Sequence, residues 1–155
     1  KPEEFTTLAS FYMYKRNPAM SAKVLEKAIT NEDIDFDKTN AKLLADSWLF
    51  AKERLKSLNV IGRSLNNDPE DAKLIKQYIN IAFSAFEWDE VIRGIKKADE
   101  AGLEDDGKFA LMKGIAYFEK KSITNAKNSF IEASNSKEYK DQGIAWLEYL
   151  EALNG

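Results

Sequence analysis

The chain has 155 residues, 44% hydrophobic and 32% charged, with a net charge of -3 and a pI near 5.2. That is enough chain for one domain with a core, in an ordinary globular composition. It offers no basic excess to draw nucleic acid. Cysteine and histidine are both absent, which excludes disulfides, thiolate chemistry, the commonest general base and the commonest transition-metal ligands.

Apolar residues recur at three and four, as in Leu44, Trp48 and Ala51 or Ile75, Tyr78, Ile79 and Ala82. This is the mark of amphipathic helices, and the spacing predicts helices throughout. In chain order they cover about 3–14, 18–31, 39–51, 54–67, 69–86, 88–101, 107–119, 122–135 and 138–153. Asp68-Pro69-Glu70-Asp71 reads as a cap residue, a first-turn proline and two first-turn acids. Ala101-Gly102-Leu103 reads as a helix stop with Gly102 left-handed. The last helix carries Ile144, Leu147, Leu150 and Leu153 on one side, with Gln142, Glu148, Glu151 and Asn154 free to face water. No apolar run approaches the roughly 20 residues of a membrane span, and no signal peptide is visible. The chain starts at Lys1 rather than Met, so it reads as a fragment or a mature segment of a longer protein.

A repeat underlies these helices. Gly114, Tyr117, Ala126, Phe130 and Ala133 are separated by 3, 9, 4 and 3 residues. The same offsets return at Ile79, Ala82, Val91, Ile95 and Ala98. They return again at Ala45, Trp48, Ser57, Ile61 and Ser64, and at Ala9, Tyr12, Ser21, Leu25 and Ala28. Successive copies start 36, 34 and 35 residues apart. Small residues (Ala9, Ala45, Gly114) let two helices approach, and larger ones (Tyr12, Trp48, Tyr117) fill the space beside them. Leu25, Ile61, Ile95 and Phe130 plug the second helix of each pair, each contributing roughly 1.5–3 kcal/mol when buried. Period and pattern resemble the tetratricopeptide repeat, a helix–turn–helix unit of about 34 residues. The third copy departs from it, with Ile79 and Ala82 in swapped size order, and only Asp68-Pro69 supplies a proline between repeats. The resemblance implies an all-α, right-handed α-solenoid of about four helix pairs plus a C-terminal capping helix. It forms one domain, with repeats at about 2–35, 38–71, 72–106 and 107–140 and a cap at 141–155.

In that architecture the first helices line the concave side, and their residues off the core stripe are the partner-binding candidates. These are Met13 and Tyr14, then Lys42, Asp46, Leu49 and Phe50. The third repeat adds Lys73, Lys76, Asn80 and Phe83, and the fourth adds Lys108, Leu111, Ile115 and Phe118. Apolar groups exposed in a groove mark a partner site. In a tight superhelix the same residues touch neighbouring helices instead, and both readings stay open at this point. One subclass of the family grips a partner's C-terminal carboxylate. Lys76 and Asn80 match half of that arrangement, while Met112 and Asp46 stand where polar and asparagine groups belong.

Other chemistry is sparse. Asp33, Asp35 and Asp37 alternate like a calcium loop, but Lys38 replaces the required glycine and Leu44 the closing glutamate, so the stretch reads as an acidic linker capping the next helix. Glu104, Asp105 and Asp106 read likewise. No phosphate loop, nucleophile elbow or metal set appears, so neither a catalytic residue nor a cofactor is expected. Trp48 and Trp146 fall on core faces and Trp88 braces a turn.

A narrower resemblance rests on "AKVLEKAI", "NAKLLADSWLFAKE", the run from Glu87 to Ser134, and "DQGIAWLEYLE". Together these are similar to the C-terminal region of bacterial periplasmic tetratricopeptide proteins that accompany TonB energy-transduction systems. That implies a periplasmic setting and a scaffold role beside TonB-dependent uptake. The functional expectation is a non-catalytic module that docks a protein segment in its concave groove, with no nucleic-acid partner and no membrane contact. The alternative is self-assembly, as a homodimer or spacer whose groove is filled by its own or another copy's helix.

Overall fold

A computed structural model describes residues 1–155. Nine α-helices account for its regular structure, and no residue lies in a strand. They are α1 (Pro2–Tyr14), α2 (Pro18–Thr30), α3 (Lys38–Phe50), α4 (Arg54–Asn67), α5 (Ala72–Ser84), α6 (Trp88–Glu100), α7 (Lys108–Glu119), α8 (Ile123–Ser134) and α9 (Lys140–Asn154). The chain divides into two compact units, Lys1–Ile81 and Ala82–Gly155. In the first, α1 packs on α2, α2 on α3, and α3 on α4. In the second, α6 packs on α7, α7 on α8, and α8 on α9.

The repeat positions form the core of both units. All of them are buried except Tyr12 and Tyr117, which are half-buried. Ile79 and Ala82, the swapped pair, are both fully enclosed. Where the core is polar it is internally satisfied. The Ser21 and Ser47 hydroxyls lie 2.9 Å apart between α2 and α3, and the Ser57 hydroxyl donates to the Ala45 carbonyl across α3 and α4 at 2.8 Å. A serine is small enough for the crossing, and each buried hydroxyl finds its own partner there. Trp48 is buried and its Nε1–H donates to the Glu26 carboxylate at 3.0 Å.

Each helix pair turns through the same device. Arg16, Lys52, Phe86 and Lys121 have φ between 57° and 66° and follow the small position of each copy by seven residues. The next residue's N–H then reaches back to close the helix. Asn17 donates to the Tyr12 carbonyl (2.8 Å), Glu53 to Trp48 (2.9 Å), Glu87 to Ala82 (3.0 Å) and Ser122 to Tyr117 (2.8 Å). This is a Schellman cap, in which one left-handed residue satisfies two terminal carbonyls. It is built here without glycine. Only the stop after α6 uses one, at Gly102 (φ 67°), as the sequence predicts.

Two local expectations are corrected. α5 begins at Ala72, not at Pro69. Asp68-Pro69-Glu70-Asp71 forms a separate turn, and it is Asp71 whose carboxylate accepts the Leu74 N–H at 3.0 Å. A proline after Asp68 suits a turn as well as a first helical position, and Asp71 is better placed to cap. On α9 the buried residues are Gly143 and Leu150, flanked by half-buried Trp146 and Leu147. Ile144 (38% exposed) and Leu153 (55%) lie off that contact. The cause is Gly143, where an added Cβ would stand 2.5 Å from the Ser134 nitrogen and 2.9 Å from the Phe130 carbonyl oxygen. Backbone fits against backbone there, so Leu147 and Leu150 of the expected row stay in the contact while Ile144 and Leu153 at its ends do not.

Candidate functional site

In the first unit, α3, α4 and α5 enclose a small cleft of about 80 Å³. Ala41, Ala45, Ile61 and Leu74 supply its apolar floor, and Lys38, Lys42 and Lys73 stand at its rim. The alanines open this space because each withholds a side chain where a larger residue would fill it. Lys38 Nζ donates to Asp71 at 2.6 Å, joining the start of α3 to the cap of α5. That bond, with the Leu74 N–H, holds the Asp71 carboxyl below the usual carboxylate range. It raises Lys38 above the usual lysine value in turn. Lys42 pairs with Asp46 one turn along α3, so Asp46 neutralises a lysine rather than receiving a ligand. Lys73, Lys76 and Asn80 are exposed.

The remaining candidates of this unit differ in access. Tyr14 is 81% exposed and Phe50 67%. Met13 and Leu49 are half-buried, and the Met13 sulfur lies 3.5 Å from the Ser47 hydroxyl on α3. A second hollow, about 450 Å³, is bordered by Glu3, Glu32, Asp33, Asp35 and Asp37. Asp37 caps α3 by accepting the Asn40 N–H at 2.8 Å, as expected of this linker. No cluster of three or more His, Cys, Asp or Glu is placed to hold a metal ion.

In the second unit, Leu111, Ile115 and Phe118 on α7 are half-buried and rest on the core cluster of Ala126, Phe130 and Leu150. Lys108 is exposed. Phe83 is half-buried, its ring edge-on to Trp88 at 5.5 Å, and Phe86 packs on Trp88 at 5.7 Å. Met112 is buried, so it offers nothing to a carboxylate ligand. Asp105 begins α7 by accepting the Gly107 and Phe109 N–H groups. Asp106 and Glu138 share a hydrogen bond that lowers the Asp106 carboxyl and raises that of Glu138.

No residue of α9 stands among the expected partner-binding residues, although α9 shares this face, as the self-assembly alternative has it. Trp146 stacks on Phe130 at 4.9 Å, nearly parallel, and meets Phe118 at 5.3 Å. Tyr149 touches both Phe118 and Trp146 at 5.8 Å and is 48% exposed. Ala145, Trp146 and Tyr149 line an open apolar hollow of about 280 Å³. The available signal was a second apolar row on α9, Ala145, Tyr149 and Leu153 at four-residue steps, beside the row that docks on α8.

Among solved structures the chain is similar to the crystal structure of MamA protein, with a TM-score of 0.59 and 18% identity over 92% of this chain and 76% of that chain. A likeness at this identity shows the fold, a tetratricopeptide-like all-helical repeat. No protein-family model matches the chain, and no curated protein matches it in sequence.

Proposed function

We propose that this chain is a non-catalytic protein-interaction module that holds a segment of a partner protein against the first helices of its repeats. The observation that carries the reading is the access left at those faces. Tyr14, Phe50, Lys42, Lys73, Lys76, Asn80 and Lys108 are exposed, and the apolar residues among the candidates are nowhere fully enclosed. Aromatic side chains left open beside lysines suit a protein partner, where a few aromatic anchors carry most of the binding energy. The enzyme reading has no support from the site, because function needs a constellation and none is assembled. In this reading the four copies and α9 act together as one interaction domain.

The partner class follows from the sequence resemblance alone. It is a component of a TonB-type transport complex in the bacterial envelope, with the chain working in the periplasm as a scaffold. No helix is long and apolar enough to cross a membrane. The test compares proteins retained from envelope extract by the wild type and by Phe50→Lys with Lys73→Glu. Both side chains are exposed, so the variant keeps its fold. A protein retained by the first and lost by the second supports the reading, and TonB-system components in that set support its narrower form. Identical sets move binding off these faces.

A second reading is self-assembly, and one observation favours it. The α9 rings Trp146 and Tyr149 already cover part of Phe118 on α7. A chain whose own terminal helix occupies its first-helix face has less need of a partner there. A concentration-dependent dimer that buries Tyr14 or Phe50 in solution would favour this reading.

A further inference from the structure

The open face of α7 and α9 has an apolar centre and an acidic margin. Ala145, Trp146 and Tyr149 line its hollow, and Phe118 meets their rings from α7. Asp141 stands four residues before Ala145 and Glu148 three residues after it. Those are the spacings at which helical side chains become surface neighbours. Both carboxylates are exposed, and neither has a cation within ion-pair distance. The row from Ala145 to Leu153 is about 12 Å long, two turns of a docked helix.

We infer that this face takes a basic amphipathic helix of a partner protein, which seats an apolar side chain in the Ala145–Trp146–Tyr149 hollow and sets lysine or arginine against Asp141 and Glu148. The inference rests on the interaction-module reading and gives the partner its chemistry. Charge complementarity selects the occupant. An acidic helix would meet two unpaired carboxylates at the margin, and a neutral one would leave them unused. A second copy is a poor occupant, since its own α9 would bring the same carboxylates to the same margin.

The test uses two fluorescent helical peptides of about five turns. Both carry leucines at i, i+3, i+4 and i+7; one has lysines on both flanks, the other glutamates. Binding to the intact chain is read by anisotropy. The expected result is at least about a tenfold preference for the lysine peptide, weakening as salt rises past the screening range. The preference should reverse in Asp141→Lys with Glu148→Lys, and binding should be lost in Ala145→Arg. Those substitutions are at exposed positions, and circular dichroism confirms that each variant is folded. Equal binding of the two peptides, or a preference that survives the charge reversal, overturns the inference. So does failure of the wild type to bind either peptide. If such a protein still retains an extract partner through Phe50 and Lys73, the interaction-module reading stands and only this chemistry falls. Self-association abolished by Ala145→Arg would overturn it in favour of a second copy.

Discussion

Gly114 on α7 faces the ring of Phe130 on α8 so closely that a Cβ at Gly114 would stand 2.4 Å from the ring's Cε1. Phe130 is fully buried and stacked on Trp146, so it cannot step aside without disturbing α9. Gly114→Ala is expected to lower stability by about 1–3 kcal/mol through overpacking. Denaturant titration checks this, and Gly114→Ala with Phe130→Leu should recover part of the loss. Gly143→Ala should cost more, because its added carbon meets the backbone of Ser134 and Phe130 rather than a side chain.

The left-handed turn residues make the opposite prediction. Lys121 holds φ 63° and closes the α7–α8 hairpin with a side chain that this conformation disfavours. Lys121→Gly should raise stability by about 0.5–1 kcal/mol, the relief of left-handed strain less the entropy glycine adds to the unfolded chain. A higher midpoint in thermal unfolding is the measurement. No change would mean that the turn is strained less than its φ implies.

The Lys38–Asp71 pair predicts a pH dependence. The folded Asp71 carboxyl titrates below its ordinary value, chiefly through its hydrogen bond from Lys38 and then that from the Leu74 N–H. Its contribution is therefore present above the ordinary carboxylate range and is lost as pH falls through the lowered folded value. Lys38 is raised, chiefly by its hydrogen bond to Asp71, so its contribution holds below the ordinary lysine value and is lost as pH rises through the raised one. Asp71→Asn should thus be less stable than wild type at neutral pH, with the gap closing toward acid. Parallel urea curves across pH test it, and a constant gap would assign the effect of Asp71 to packing.

Phe50 and Phe118 should separate binding from folding. Phe50 is largely exposed, so Phe50→Ala should leave stability within about 0.5 kcal/mol and weaken partner capture. Phe118 touches Trp146 and Tyr149, so Phe118→Ala should cost about 1–2 kcal/mol as those ring contacts vanish. Circular dichroism melts beside a capture assay read both quantities. A melting loss for Phe50→Ala equal to that of Phe118→Ala would show that Phe50 is structural.

What the amino-acid sequence determined by itself is the pairing of helices. The spaced small and large residues have one arrangement that buries them, and their recurrence at about one repeat length set the helix count, the approximate ends and the core. Side-chain size acts locally in such a repeat, so a linear pattern can carry it. Tertiary structure decided what the surfaces became. α9 docks through Gly143 and Leu150, and the close backbone approach at Gly143 leaves Ile144 and Leu153, the two ends of its apolar row, outside the contact. Trp146 and Tyr149 thereby reached Phe118 and opened a hollow beside two unpaired carboxylates. No spacing rule along one helix contains that relation. It depends on how α9 sits on α8, where Gly143 lets the two backbones come close.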